Sequence, residues 1–348
     1  MISDTHLFKE IHEQPDVLQR LLDREKPAAE QIAQAIVRHD ITQVTIAARG
    51  TSDNAGRYAK YVFGAMNGLI VGLAAPSLFT IYQRPPKFRN ALVLGISQSG
   101  ASPDIIAVLA EARRQGAVTA VITNEPDSPL AAEGDFVIDL HAGAEKAVAA
   151  TKTYTSELGT IALISTLLSN EKEAQAALEH IPAAISEALS SNEVVMQAAQ
   201  RWREAKRAVT IGRGFNYATA FELALKLKEL TYTVVEPYSS ADFLHGPLAI
   251  IEHDFPVMVI APSGPILNEM RSFIETLRQH QAQVICISDD PQTLDLAQIP
   301  VAAPAGIPEW LSPLTAVIPG QLFALHLASI RGYNVDAPRS IHKVTETL

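Results

Sequence analysis

At 348 residues the chain is long enough for two or three domains and a substantial core. Its hydrophobic share of 47% and charged share of 19% are those of a soluble globular protein. With 28 basic against 38 acidic residues, the formal net charge of -10 excludes a broad electrostatic footprint for nucleic acid or an anionic membrane, so an anionic ligand has to be held locally.

The opening Met1-Ile2-Ser3-Asp4 lacks the basic and apolar regions of a leader, and His6 to Val37 has helical spacing broken at Pro15 and Pro27. Val44-Thr45-Ile46-Ala47-Ala48 then ends in Arg49-Gly50-Thr51-Ser52 and feeds a helical stretch, as a β-branched strand leading into a glycine turn does. Apolar runs follow at 91–96, 118–123 and 136–140. The first of these leads into Ser97-Gln98-Ser99-Gly100-Ala101-Ser102-Pro103-Asp104 and then a clear helix, with Pro103 in its first turn. A strand end, a glycine turn and a helix N-terminus present free N–H groups and a positive dipole end, and three serine hydroxyls add donors suited to phosphate oxygens. Simple N-capping by serine accounts for the same serines equally well. No Lys follows the glycine, so this is not a nucleotide P-loop, and the glycine spacing is not that of dinucleotide binding.

Residues 153–200, rich in Ala, Leu, Ser and Glu, read as two helices separated near Ile181-Pro182, and their alternating charges suit packing or dimer helices better than a membrane surface. The first pattern then returns: Ala208-Val209-Thr210-Ile211 ends in Gly212-Arg213-Gly214, and apolar runs follow at 256–261, 283–287 and 299–303. The matching second turn, Pro262-Ser263-Gly264-Pro265, lacks the serine cluster, which predicts one phosphate pocket per chain. Continuous apolar strands alternating with helices predict an α/β protein of two doubly wound parallel-sheet subdomains in tandem. The expected layout is a helical segment at 1–34, subdomains at 35–165 and 198–335, connecting helices at 166–197 and a tail at 336–348.

In the second half, Glu222, Lys226 and Glu229 fall at spacings of four and three on roughly one helix face, where they form either a solvated ion-pair ladder or part of a site. His245 stands in Phe243-Leu244-His245-Gly246-Pro247-Leu248, a turn that suits a satisfied structural histidine. With a carboxylate nearby it also suits ring opening and proton transfer α to a carbonyl. The ten histidines show no pair at helical metal spacing, Glu252-His253-Asp254 reads as a turn, and there is no Gly-x-Ser-x-Gly elbow. Cys286 reads as a small buried strand residue, and a lone cysteine forms no intrachain disulfide. No uninterrupted apolar stretch approaches the roughly 18 residues of a spanning helix, so a cytoplasmic protein is expected.

The ordered set Gly50-Thr51-Ser52, Ser97 to Gly100, Val148-Ala149-Ala150-Thr151-Lys152, Leu225 to Glu229, His245-Gly246-Pro247 and Pro338-Arg339-Ser340-Ile341-His342-Lys343 resembles that of tandem sugar-isomerase (SIS) domains. Specifically, it resembles the isomerase half of glutamine-fructose-6-phosphate amidotransferase and its relatives, and the resemblance runs from about residue 35 to the C-terminus. It implies a phosphosugar held by Ser97, Gln98, Ser99 and Ser102, with Thr51, Ser52 and Val148 lining the sugar. It implies Glu229 for proton transfer between C1 and C2, assisted by Lys226, and His245 for ring opening. Lys343 falls to the open-chain carbonyl, with a Schiff base as one form of that role. It further implies a homodimer with shared active sites, His245 of one chain serving the other, and no partner of nucleic acid or membrane.

The departures narrow the expectation. The amidotransferase begins with a glutaminase domain whose nucleophile is an N-terminal cysteine, whereas Met1-Ile2 opens this chain and roughly 35 residues precede the first repeat, so glutamine is not expected as the ammonia source. Ala101-Ser102-Pro103, Ala150 and Ala241-Asp242-Phe243-Leu244 resemble single-module relatives that deaminate amino-sugar phosphates. The expected reaction is therefore deamination of glucosamine 6-phosphate to fructose 6-phosphate and ammonia. No metal or organic cofactor is needed, because the substrate carbonyl is the electron sink. The alternatives are an aldose-ketose isomerase of phosphosugars, a deglycase of fructosamine phosphates, and a phosphosugar sensor without turnover.

Overall fold

A computed structural model describes residues 1–343; the last five residues of the expected tail, 344–348, lie outside the description. In the first half, β1 (Gln43–Ala47), β2 (Ile70–Leu73), β3 (Ala91–Ser97), β4 (Val118–Thr123) and β5 (Phe136–Asp139) form one parallel sheet in the order β2-β1-β3-β4-β5. In the second half, β6 (Arg207–Ile211), β7 (Val234–Tyr238), β8 (Pro256–Ile260), β9 (Gln283–Ser288) and β10 (Ile299–Ala302) form another, in the order β7-β6-β8-β9-β10. With β6 standing for β1, the two orders are the same, so the duplication and the doubly wound α/β class are both present. Each order reverses between the first and third strands, and that reversal leaves a crevice at the strand ends where ligands of open α/β sheets bind.

All seven residues of β3 are buried, as a central strand covered on both faces requires. Its Val93 packs with Ile105, Val108 and Leu109 of the Pro103–Arg114 helix, and each such side chain contributes about 1.5–3 kcal/mol on burial. Gly95 makes that contact close, since a Cβ there would stand 3.0 Å from both δ-methyls of Leu109. Cys286 is buried in β9, and burial, with the Asp290 charge second, pushes its thiol up to about 12, so it is an inert core residue.

The chain folds into two compact units of non-consecutive segments, where the sequence reading lays its domains end to end. One holds Asp16–Glu145, Lys152–Glu179 and, at the C-terminus, His342 and Lys343; the other holds Met1–Pro15, Lys146–Thr151 and His180–Ile341.

Several expectations are corrected. Pro27 does not break the opening segment: helix Gln14–Arg38 runs through it, and the interruption falls near Glu13, with Pro15 in the next helix's first turn. Residues 153–200 form helices Lys152–Ser169, Lys172–Glu179, Ile181–Ala188 and Asn192–Arg201, so the break near Ile181-Pro182 is one of several. β2, β7 and the helix Ser312–Ile330 add to the expected elements. That helix is long and apolar enough to cross a membrane by length and composition, yet it is almost wholly buried within its unit, as a core helix is.

Candidate active site

At the first-half crevice, β3 ends on buried Ser97 and the chain turns through Gly100 at φ 59° into the Pro103–Arg114 helix. A Cβ at Gly100 would stand 2.0 Å from the Ser128 hydroxyl, so only glycine closes this turn. Ser97 Oγ accepts from Gly100 N–H at 3.2 Å and Ser99 Oγ accepts from Ala101 N–H at 3.4 Å, while Gln98 offers its carbonyl to Asn124 N–H at 3.1 Å. Ser102 stands at the N-cap with extended backbone, but its hydroxyl makes no capping bond, so capping does not account for it.

The adjacent strand, paired with β3 from Gln43↔Ala91 to Ala47↔Gly95, brings Arg49-Gly50-Thr51-Ser52 beside this turn. A Cβ added to Gly50 would meet nothing within 4 Å, so the crevice is open there. Thr51 lies in the first turn of the Gly50–Asn67 helix, and the buried Ser52 donates to Glu157 Oε1 at 2.7 Å. Arg49 reaches over to Asp104 Oδ2 with both Nε and Nη2 at 2.8 Å. Asp104 is fully buried in the first turn of the helix, so this cation offsets a negative charge that would otherwise oppose an anion in the crevice.

Lys343 belongs to the same unit, and no sequence motif points to its partner. Its Nζ donates to Glu145 Oε2 at 2.7 Å. The Glu145 side chain is 0% exposed and also takes the Thr153 hydroxyl at 2.8 Å and the Thr153 N–H at 3.2 Å. Lys152, buried beside it in sequence, donates to the Ala144 carbonyl at 2.9 Å. A buried carboxylate held by three donors is a rigid anchor for an ammonium that remains partly exposed.

In the second-half unit, Glu222, Lys226 and Glu229 sit on the Tyr217–Thr231 helix, and the solvated-ladder reading fails for two of them. Glu222 and Lys226 are 0% and 1% exposed, with Lys226 Nζ 3.4 Å from Glu222 Oε1 and 2.7 Å from Glu229 Oε2. Glu229 keeps 24% of its side chain exposed, so it stands at the mouth of a buried charge relay. Three residues on, Tyr232 ends the helix at φ 56°; its hydroxyl accepts Arg339 N–H at 2.9 Å, and the Arg339 guanidinium lies 4.0 Å from its ring centroid. Arg339 is thus docked next to the Glu229 helix.

His245 caps the short helix Ser240–Leu244, exposed, ahead of Gly246 at φ 130°. Among the described residues its ring takes no hydrogen bond, so the satisfied structural histidine is not what the fold builds. Val148 belongs to this unit as well: its N–H donates to the Asp336 carbonyl at 3.1 Å, and the Asp336 carboxylate accepts His6 and Leu7 N–H at 3.0 and 2.8 Å. Glu10 accepts Lys146 and Ala147 N–H, so the N-terminal helix braces the Val148 loop. The structure therefore gathers Ser97, Gln98, Ser99, Ser102, Thr51 and Ser52 at one crevice, joins Lys226 to Glu229, and pairs Lys343 with Glu145.

Comparisons with known proteins fit these observations. The family model for the SIS domain matches twice, over residues 39–167 and 202–331. Glutamine–fructose-6-phosphate aminotransferase (isomerizing) of Zymomonas mobilis is 36% identical over 351 residues; the match takes in 96% of this chain but spans only 58% of the relative's length. The C-terminal domain of glucosamine-fructose-6-phosphate aminotransferase from Francisella tularensis superposes with a TM-score of 0.85 at 27% identity, covering 96% of this chain and 98% of that one. Glucosamine-6-phosphate deaminase from Thermotoga maritima shares the fold, with a TM-score of 0.82 at 20% identity over 99% and 100% of the two chains.

Proposed function

The chain belongs to the SIS domain family, with two copies of the domain, and from that premise we propose that it is a phosphosugar enzyme whose reaction is the deamination of glucosamine 6-phosphate. The observation that carries the reading is Glu229, partly exposed and held by the buried Lys226 through one carboxylate oxygen. A carboxylate so fixed has its other oxygen for a proton, which is what a general base acting between C1 and C2 needs.

In this reading the Ser97–Ser102 turn holds the phosphate, and binding energy spent there aligns C1 and C2. His245 moves the proton that opens the pyranose. Lys343, held in place by Glu145, polarises the open-chain carbonyl. Glu229 takes the C2 proton and returns it to C1, so that an enolamine becomes a ketimine at C2. Water adds to that carbon, the C–N bond breaks, and ammonia and fructose 6-phosphate leave. The variants Ala101-Ser102-Pro103, Ala150 and Ala241 to Leu244 favour deamination over amide transfer. The exposed Leu244 and Ile250 near His245 favour a homodimer that covers this turn and shares its sites.

An ammonia-coupled assay on the purified chain with a panel of amino-sugar phosphates tests the proposal. Ammonia released from glucosamine 6-phosphate, with no glutamine hydrolysis, is the expected result. Isomerisation without ammonia, or release from fructosamine phosphates alone, would move the chain to another reaction of the family. Binding of the sugar phosphate without turnover would make it a sensor.

A further inference from the structure

The second half repeats the crevice, and its own chain stands in it. Arg213 (φ -132°, ψ 157°) repeats the backbone of Arg49 (φ -138°, ψ 156°), and Gly214 at φ 60° repeats Gly50 at φ 54°. Arg213 even reaches a first-turn carboxylate of the next crevice helix, Glu269, as Arg49 reaches Asp104. The space between the strand ends differs. A Cβ on Gly214 would come within 3.3 Å of Glu309 Oε1, and one on Gly264, at φ 155°, within 2.3 Å of Glu309 Oε2. One carboxylate thus lies across both glycine turns, delivered by the stretch between β10 and the Ser312–Ile330 helix.

We propose that Glu309 is a built-in occupant of the second crevice: its carboxylate takes the place that a phosphomonoester or inorganic phosphate would take, and so restricts each chain to one sugar-phosphate site. The proposal rests on reading the first crevice as the phosphate site. Three features support it. An acid tethered in the chain competes with dissolved phosphate at a high effective concentration. Its charge repels a second anion. The donor set is also reduced, since Ser263 N–H is spent on Asp289 Oδ1 at 2.6 Å, where the first half places the neutral Asn124 after its fourth strand. Two carboxylates therefore face the second crevice, and serine hydroxyls the first.

Equilibrium dialysis of the full chain against inorganic phosphate and glucosamine 6-phosphate, read as ligands bound per chain, tests the assignment. Wild type and Glu309→Gln, which keeps the shape, are expected to bind one. Glu309→Ala combined with Asp289→Asn is expected to bind two, and still one when Ser99→Ala disables the first crevice. Glu309→Ser alone, a smaller change, is scored the same way if the combined variant gives no cooperative melt. An unchanged count of one in folded Glu309→Ala/Asp289→Asn, or in Glu309→Ser, overturns the proposal. Wild type binding no phosphate would refute the first-crevice reading instead, while a gain from none to one on removing Glu309 would still uphold its role as the occupant.

Discussion

The helix after β1 and the helix after β6 occupy the same place in the duplicated fold and are used differently. In Gly50–Asn67 the polar residues of interest, Thr51 and Ser52, lie in the first turn, where the backbone supplies N–H groups and no titratable side chain is required. In Tyr217–Thr231 the N-terminal turn carries none of them, and Glu222, Lys226 and Glu229 lie along the body of the helix. Holding a phosphate needs donors that stay put, which strand ends and glycine turns provide. Moving a proton needs a carboxylate with a fixed partner, which a buried lysine provides at the expense of desolvation. In the proposed reading, duplication lets one copy specialise in each task.

The sharpest test of that division is Lys226→Met. It leaves Glu222 buried opposite an apolar side chain, and breaking a buried ion pair from one side costs about 3–5 kcal/mol. Chemical denaturation should show a loss of that size. A loss below about 1 kcal/mol would mean that the relay is solvated after all and that the two helices differ less than the geometry says. Glu229→Gln comes next: substrate binding should persist, while exchange of the C2 proton with solvent falls by more than about 100-fold, because an amide cannot accept that proton. Near-normal exchange would return Glu229 to a structural role.

The contrast between the helices was partly legible in the sequence, and the reasons are physical. The Ser97–Ser102 turn and the Glu222-Lys226-Glu229 spacing are local patterns, so their geometry follows from strand end and helical period alone. Glu145 and Lys343 are 198 residues apart, and Arg49 and Asp104 are 55 apart, so no local pattern joins them. β2 and β7 escaped because each is an edge strand, with Ile70 and Val234 exposed and Gly72 or Pro237 interrupting the run. The Ser312–Ile330 helix escaped for the opposite reason. It is buried continuously from Ser312 to Ala328, so it has no polar face to give it a period, and Pro313 and Pro319 read as breakers.

On the binding side, Ser99→Ala should weaken sugar phosphates by about 10- to 150-fold, the 1.5–3 kcal/mol of a hydrogen bond to a charged oxygen. Its 3.4 Å contact to Ala101 N–H is long, so the fold should be untouched. Ser97→Ala should act in the same direction with some loss of stability, because that hydroxyl closes the Gly100 turn. Equal weakening of phosphorylated and unphosphorylated sugars in both variants would place the cradle elsewhere and leave the first copy without its task.

The smallest expected effect concerns whether the specialised copies of one chain also serve another. If His245 acts in the site of a second subunit, a mixed dimer of His245→Ala and Lys343→Ala chains carries both lesions in one site and none in the other. Random reassociation in equal proportions makes about half the dimers mixed, and each mixed dimer has one intact site of two, so activity should recover to roughly a quarter of wild type. The exposed ring of His245, with Leu244 and Ile250 beside it, is the surface such a partner would cover. Exchange must be verified by mass, because unmixed parents are inactive in any case. A mixture that exchanges and stays inactive would confine His245 to its own chain, and the division of labour would then lie wholly within one polypeptide.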